Sequence, residues 1–163
     1  MRYLMTQKLF CLGDDFTIRN EAGEDVYLVD GKAFSFGDKL SFLDMAGREL
    51  AFIRQKLFAW GPTYEIHRDG TLVAVVKKEI FTLFRCRFTV DVEGPDDLEA
   101  QGDFMDHAYT FSCGSRQVAE VSKKWFTLRD SYGVEIADEA DAVLILASTV
   151  VIDMVCHGDQ KGR

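Results

Sequence analysis

Asp153 and His157 stand four residues apart near the end of the chain. On a helix that spacing sets both side chains on one face, as a metal site or a general-base pair requires. No third ligand is evident beside them, because His67 and His107 fall in predicted turns and no HExxH pattern exists. The structural alternative makes Asp153 a buried acceptor that locks the helix in register. It would take bonds from backbone groups or pair with an Arg or Lys near the helix end, since a carboxylate left alone there costs on the order of several kcal/mol. Cys156 adjoins His157, but neighbours on a helix point apart. No Ser, Cys or Thr carries a Gly-flanked elbow with His and acid partners, and Gly13, Gly31 and Gly37 form neither GxGxxG nor a Walker loop. The catalytic set is empty, no cofactor is expected, and the chain reads as a protein that is not an enzyme.

Two charged groups remain. Glu135, Asp138, Glu139 and Asp141 offer oxygens of the kind Ca²⁺ takes, without the spacing of an EF-hand loop, and capping of a helix explains two of the four. No metal ligands are therefore assigned. The basic residues Arg54, Lys56, Lys77, Lys78, Lys123 and Lys124 occupy equivalent places in a repeat, with Arg85 and Arg87 on a following strand. Convergent cations suit a phosphate; on separate strands they only solvate the outer face and blunt edge pairing. With 27 acidic and 19 basic residues the net charge is −8, which opposes nucleic-acid binding.

The elements that must position these residues are strands. Phe34, Phe58, Phe81, Phe104 and Phe126 recur every 22 to 24 residues, and an Ala precedes three of them by seven: Ala51, Ala74 and Ala119. A period of about 23 fits one β-hairpin, so these aromatics are assigned a structural role. Polar turns containing Gly23, Gly47 and Gly70 separate runs rich in aromatic and β-branched residues. About twelve strands result, including a short one near 33–36, and that many consecutive antiparallel strands must close or curl to hide their edges. The exception is 138–153, which has no Gly or Pro and is apolar on every side from Ala142 to Ile152 apart from Ser148 and Thr149. Such a helix must be buried all round. At roughly 16 Å it reaches about half way across a bilayer, so no transmembrane segment is expected. The predicted fold is mainly β: a closed antiparallel barrel of about twelve strands around a buried apolar C-terminal helix over about 139–156. It forms a single domain over 1–157, with 158–163 a flexible tail. Four scattered cysteines and the absence of a secretory signal place the protein in a reducing cytosol.

Gln7-Lys-Leu-Phe10, Gly102-Asp-Phe104, Ser122-Lys-Lys-Trp125, Tyr132-Gly-Val-Glu-Ile136 and Thr149-Val-Val-Ile-Asp153, in this order over essentially the whole chain, resemble the LURP-one-related family. That family shares its fold with tubby proteins and phospholipid scramblases. The resemblance implies a tubby C-terminal-like barrel and brings no catalytic pattern with it. Tubby proteins bind phosphoinositide headgroups through basic residues on neighbouring strands. Two expectations follow. The first is a non-catalytic binding or scaffold module with an unknown protein partner. The second is recognition of an anionic lipid headgroup at the membrane surface by the six basic residues from Arg54 to Lys124.

Overall fold

The computed structural model describes residues 1–8, 15–31, 37–82, 85–125 and 131–157, with the side chains of Lys8, Phe81, Thr82 and Arg85 outside that description. The expected strand at 33–36, the tail 158–163, Phe34, Phe126 and the side chain of Phe81 lie outside the described residues.

Twelve strands follow one another as a meander: β1 (Arg2–Lys8), β2 (Asp15–Arg19), β3 (Asp25–Gly31), β4 (Lys39–Asp44), β5 (Glu49–Gln55), β6 (Thr63–Arg68), β7 (Thr71–Thr82), β8 (Arg85–Val92), β9 (Leu98–Asp103), β10 (Ala108–Cys113), β11 (Arg116–Ser122) and β12 (Ser131–Ile136). Each pairs antiparallel with its neighbours in sequence, and β1 pairs with β12 to close the barrel. His67, expected in a turn, lies inside β6, where it meets Glu65 at 3.0 Å.

The inward face follows from alternation. Phe16 and Ile18, Leu40 and Phe42, Ala51 and Ile53, Tyr64 and Ile66, Phe88 and Val90, and Tyr109 and Phe111 are all buried at every second position. The repeated alanines Ala51, Ala74 and Ala119 are also buried inside the barrel, leaving room beside them for a central element.

That element is α1 (Ala142–His157), which threads the barrel and is buried without interruption from Leu144 to Met154. Its only buried hydroxyls, Ser148 and Thr149, donate to the carbonyls of Leu144 and Ile145 at 2.8 Å each, so no polar hydrogen is wasted against the wall. The helix begins at Ala142, later than the expected 139, because Asp141 is its cap: the Asp141 carboxylate accepts from the Leu144 amide at 3.1 Å. Asp138, the other candidate cap, faces the Met1 ammonium at 3.2 Å instead. Among the described residues no helix is long and apolar enough to cross a membrane.

Candidate functional site

In a meander of antiparallel strands the connections leaving odd-numbered strands all emerge at one end of the barrel, and those leaving even-numbered strands at the other. The helix enters at the even end, after β12, and leaves at the odd end, where His157 Nε2 lies 3.2 Å from the Phe104 carbonyl. The two ends differ in chemistry. The even-end connections 20–24, 45–48, 69–70, 93–97, 114–115 and 137–141 hold nine acidic residues against Arg48 alone. The described odd-end connections 37–38, 56–62, 104–107 and 123–125 hold Lys56, Lys123 and Lys124 against Asp38 and Asp106.

At the odd end a buried polar cluster sits around the helix exit. Asp153, 4% exposed, takes its bond from the turn between β9 and β10: His107 Nε2 lies 2.7 Å from Asp153 Oδ1. This replaces the expected Arg or Lys partner. His107 sits between two rings, with Tyr132 at 4.3 Å and 25° and His157 at 4.5 Å and 5°. Its backbone is left-handed, φ 50°, a conformation that an L side chain holds only when its surroundings demand it. His107 Nδ1 and the hydroxyl of Tyr132 are buried with no hydrogen-bond partner among the described residues. Burial, and then the charge of Asp153, raise both tyrosines well above their usual range. Cys156 is close by, its thiol pushed up to about 11 by burial. The sequence showed the Asp153 and His157 pair; the third member, His107, is 46 residues from Asp153 in the chain and is brought in only by the fold.

On the surface of the same end, Leu57, Phe58, Trp60, Ile80 and Met105 are five of the seven large hydrophobic side chains exposed among the described residues. Phe58 (101%) and Trp60 (103%) are fully in solvent on the turn between β5 and β6, and Phe58 also has a left-handed backbone, φ 63°. The turn lies beside β7, since the Lys78 amide donates to the Pro62 carbonyl at 3.1 Å. The sequence repeat is thus geometrically real in one respect only. A period of two strands returns Phe58 and Phe104 to the same end of the barrel, but not to the same side of the wall. Phe104 packs inside, its ring 4.9 Å from those of Phe88 and Tyr109, whereas Phe58 points into water. A structural role for Phe58 is corrected accordingly.

The basic residues do not form one site. Arg54 donates to Glu65 at 2.8 Å and Lys77 to Asp91 at 3.2 Å across strand pairs. Arg54, with His67 assisting, holds the Glu65 carboxyl below its ordinary value. Arg87 is taken by Glu79 and Glu99 at 2.8 and 3.3 Å. Arg54 lies near the end of β5 and Lys56 just after it, while Lys123 and Lys124 follow β11, six strands away in a ring of twelve and hence on opposite sides. Lys78 stands half-buried on β7 between them in the ring. The four acidic candidates are dispersed likewise, each on its own cation: Glu135 on Arg2, Asp138 on Met1, Glu139 on Arg116 and Asp141 on Arg68.

Comparison with known proteins agrees with this architecture. A solved protein of Arabidopsis thaliana superposes with a TM-score of 0.68 over 99% of this chain and 92% of its own, at 17% identity, which shows the fold. The uncharacterized protein YxjI of Bacillus subtilis strain 168 is 34% identical over 156 residues, 96% of this chain and 94% of its own length. The model of the LURP-one-related family matches residues 1–153. The chain, a closed twelve-stranded tubby-like barrel around one C-terminal helix, belongs to the LURP-one-related family.

Proposed function

We propose that the chain is a non-catalytic binding module that docks through the odd end of its barrel, with Phe58 and Trp60 as the anchors. The observation that carries this is their complete exposure on one turn: the aromatic area is large, contributes nothing to the core, and is held partly by a strained backbone. A non-catalytic reading is supported by the state of the nucleophiles near the His107–Asp153 pair. The Cys156 thiol is held protonated, and the Ser148 and Thr149 hydroxyls are committed to helix carbonyls.

The polarity of the barrel favours an anionic membrane surface as the occupant. Trp and Phe suit the headgroup boundary, lysines around the rim attract anionic lipid, and the acidic pole faces away. A plane touches opposite sides of a rim at once, so lysines too far apart to share one headgroup can still act together. Arg54 and Lys77, already paired on the barrel wall, have no part in this reading.

The test uses Trp60 as reporter in a Trp125→Phe background. Phosphatidylcholine vesicles with and without phosphatidylserine are added at low and physiological salt. A blue shift of Trp60 and salt-sensitive co-sedimentation with the anionic vesicles, both lost in Phe58→Ser and Trp60→Ser, are expected. If neither vesicle is bound, the bilayer reading is wrong. A photo-crosslinking residue at position 58, compared with one at position 45 on the acidic end, then decides whether a protein pocket occupies the same anchors. Equal capture at both positions, or none, removes the docking end itself.

A further inference from the structure

The cluster at the helix exit has the composition and spacing of a metal centre, independent of what the rim docks on. One nitrogen each of His107 and His157 and one oxygen of Asp153 lie within 4.8 Å of one another, the one such group of His, Cys, Asp or Glu donors among the described residues. Asp153 and His157 come from successive turns of one rigid helix, and His107 from the strained turn facing it. We propose that His107, Asp153 and His157 bind a divalent first-row transition ion of the zinc type.

Three observations point to a cation. Asp153 is a nearly fully buried carboxylate, and its hydrogen bond comes from an imidazole, not from an obligate cation of the Arg or Lys kind. His107 Nδ1 is buried without a hydrogen-bond partner among the described residues, so this ring has unspent donor or acceptor capacity inside the cluster. The hydroxyl of Tyr132, close enough to Asp153 to feel its charge, has no hydrogen-bond partner among the described residues either. Two imidazoles and one carboxylate are a donor set suited to zinc, and three protein donors leave a fourth position for water. The ion is expected at about 2.0–2.2 Å from each donor, which needs donors roughly 3.3 Å apart. The cluster must therefore tighten, and because the two imidazole planes lie 5° from parallel, His157 must turn out of the stack to aim a nitrogen at the ion. His157 is half-buried and held through the Phe104 carbonyl at 3.2 Å, a single bond that the turn would exchange for a metal bond.

The experiment is isothermal titration of the chelator-treated full chain with Zn²⁺, paired with ¹H–¹⁵N spectra of the histidine side chains. Wild type is expected to bind one ion, with the ring signals of His107 and His157 shifting and that of His67 unmoved. His157→Gln and His107→Gln should each weaken binding at least tenfold while keeping the far-ultraviolet circular dichroism of the barrel. His157→Gln, at the last turn of the helix, is the variant least able to disturb folding. Cys156→Ser should bind as wild type does. The proposal is overturned if wild type shows no saturable binding, if either histidine variant binds undiminished, or if Cys156→Ser loses affinity as the histidine variants do.

Discussion

Arg68 and Asp141, 73 residues apart, meet in a two-pronged ion pair, Nη1 to Oδ2 at 2.8 Å and Nη2 to Oδ1 at 2.7 Å. The same carboxylate caps the helix through the Leu144 amide, so one side chain fastens the end of β6 to the start of the central helix. Partial burial raises the Asp141 carboxyl, but Arg68 and the helix amides outweigh it and hold the group below its ordinary value. A carboxyl lowered by folding stabilises the protein above its unfolded pKa, near 4, and loses that contribution as pH falls through the folded value. Asp141→Ala should cost about 1–2 kcal/mol at pH 7 and less at pH 3. Urea titrations at the two pH values measure the difference.

At the alkaline side the sign reverses. Tyr109 and Tyr132 are raised by burial and by the charge of Asp153, so folding favours their protonated forms. Their contribution is complete below the unfolded tyrosine pKa of about 10 and falls away above it. Stability should therefore decline steeply above about pH 10, and the decline should lessen in Tyr132→Phe. Absorbance of tyrosinate during alkaline titration should show these two ionising only with unfolding.

Gly102 has a φ of 141°, and a Cβ there would stand 2.5 Å from the Ala108 carbonyl oxygen and 2.6 Å from Tyr109 Cα. Both neighbours are backbone of the paired strand β10, which cannot retreat without opening the β9 hairpin. Gly102→Ala should destabilise the protein by about 2–4 kcal/mol, from conformational strain and overpacking together. Chemical denaturation measures it, and a loss below about 0.5 kcal/mol would contradict the geometry.

The central helix sets a second stability test. Leu146 and Val150 are fully enclosed by the barrel. Leu146→Ala should cost about 2–5 kcal/mol, and Val150→Lys should prevent folding because an unpaired ion is buried. A soluble Val150→Lys protein with unchanged thermal midpoint would show that the helix is not in the core.

The paired cations on the barrel wall should be nearly silent. Arg54 and Lys77 are each about half exposed beside their carboxylates, a setting in which ion pairs contribute under about 1 kcal/mol. Reversing Lys77 to Glu should leave vesicle sedimentation within about twofold of wild type, whereas Phe58→Ser removes it. A large loss from Lys77→Glu would move the docking surface from the rim to the wall.

The sequence carries the barrel because each strand repeats a two-residue alternation between polar turns, and because 142–152 can be satisfied only by enclosure. It carries less where the answer depends on distant partners. Whether Asp138 or Asp141 caps the helix is decided by Arg68, which only barrel closure brings near. The pairing of Arg54 with Glu65 depends on the strand register, and so Arg54, one of the cations that line up in the repeat, is neutralised in the sheet. The sequence marks His107 only as a turn residue; it is one, but its turn faces the far end of the helix. Phe58 misled because a periodic position fixes an end of the barrel and not a side of its wall.

Closure by β1 and β12 has a consequence for how this protein comes into being. The seam joins Arg2 to Glu135 and Thr6 to Ser131, contacts more than 120 residues apart along the chain. During synthesis the first strand has β2 on one side and a bare edge on the other until nearly the last strand has left the ribosome, and the helix that fills the interior emerges later still. Loops of that length are closed late and slowly, so the nascent chain passes through an open curved sheet with sticky margins. Those margins are the hazard for expression, and residues 131–157 end it by sealing the seam and filling the centre.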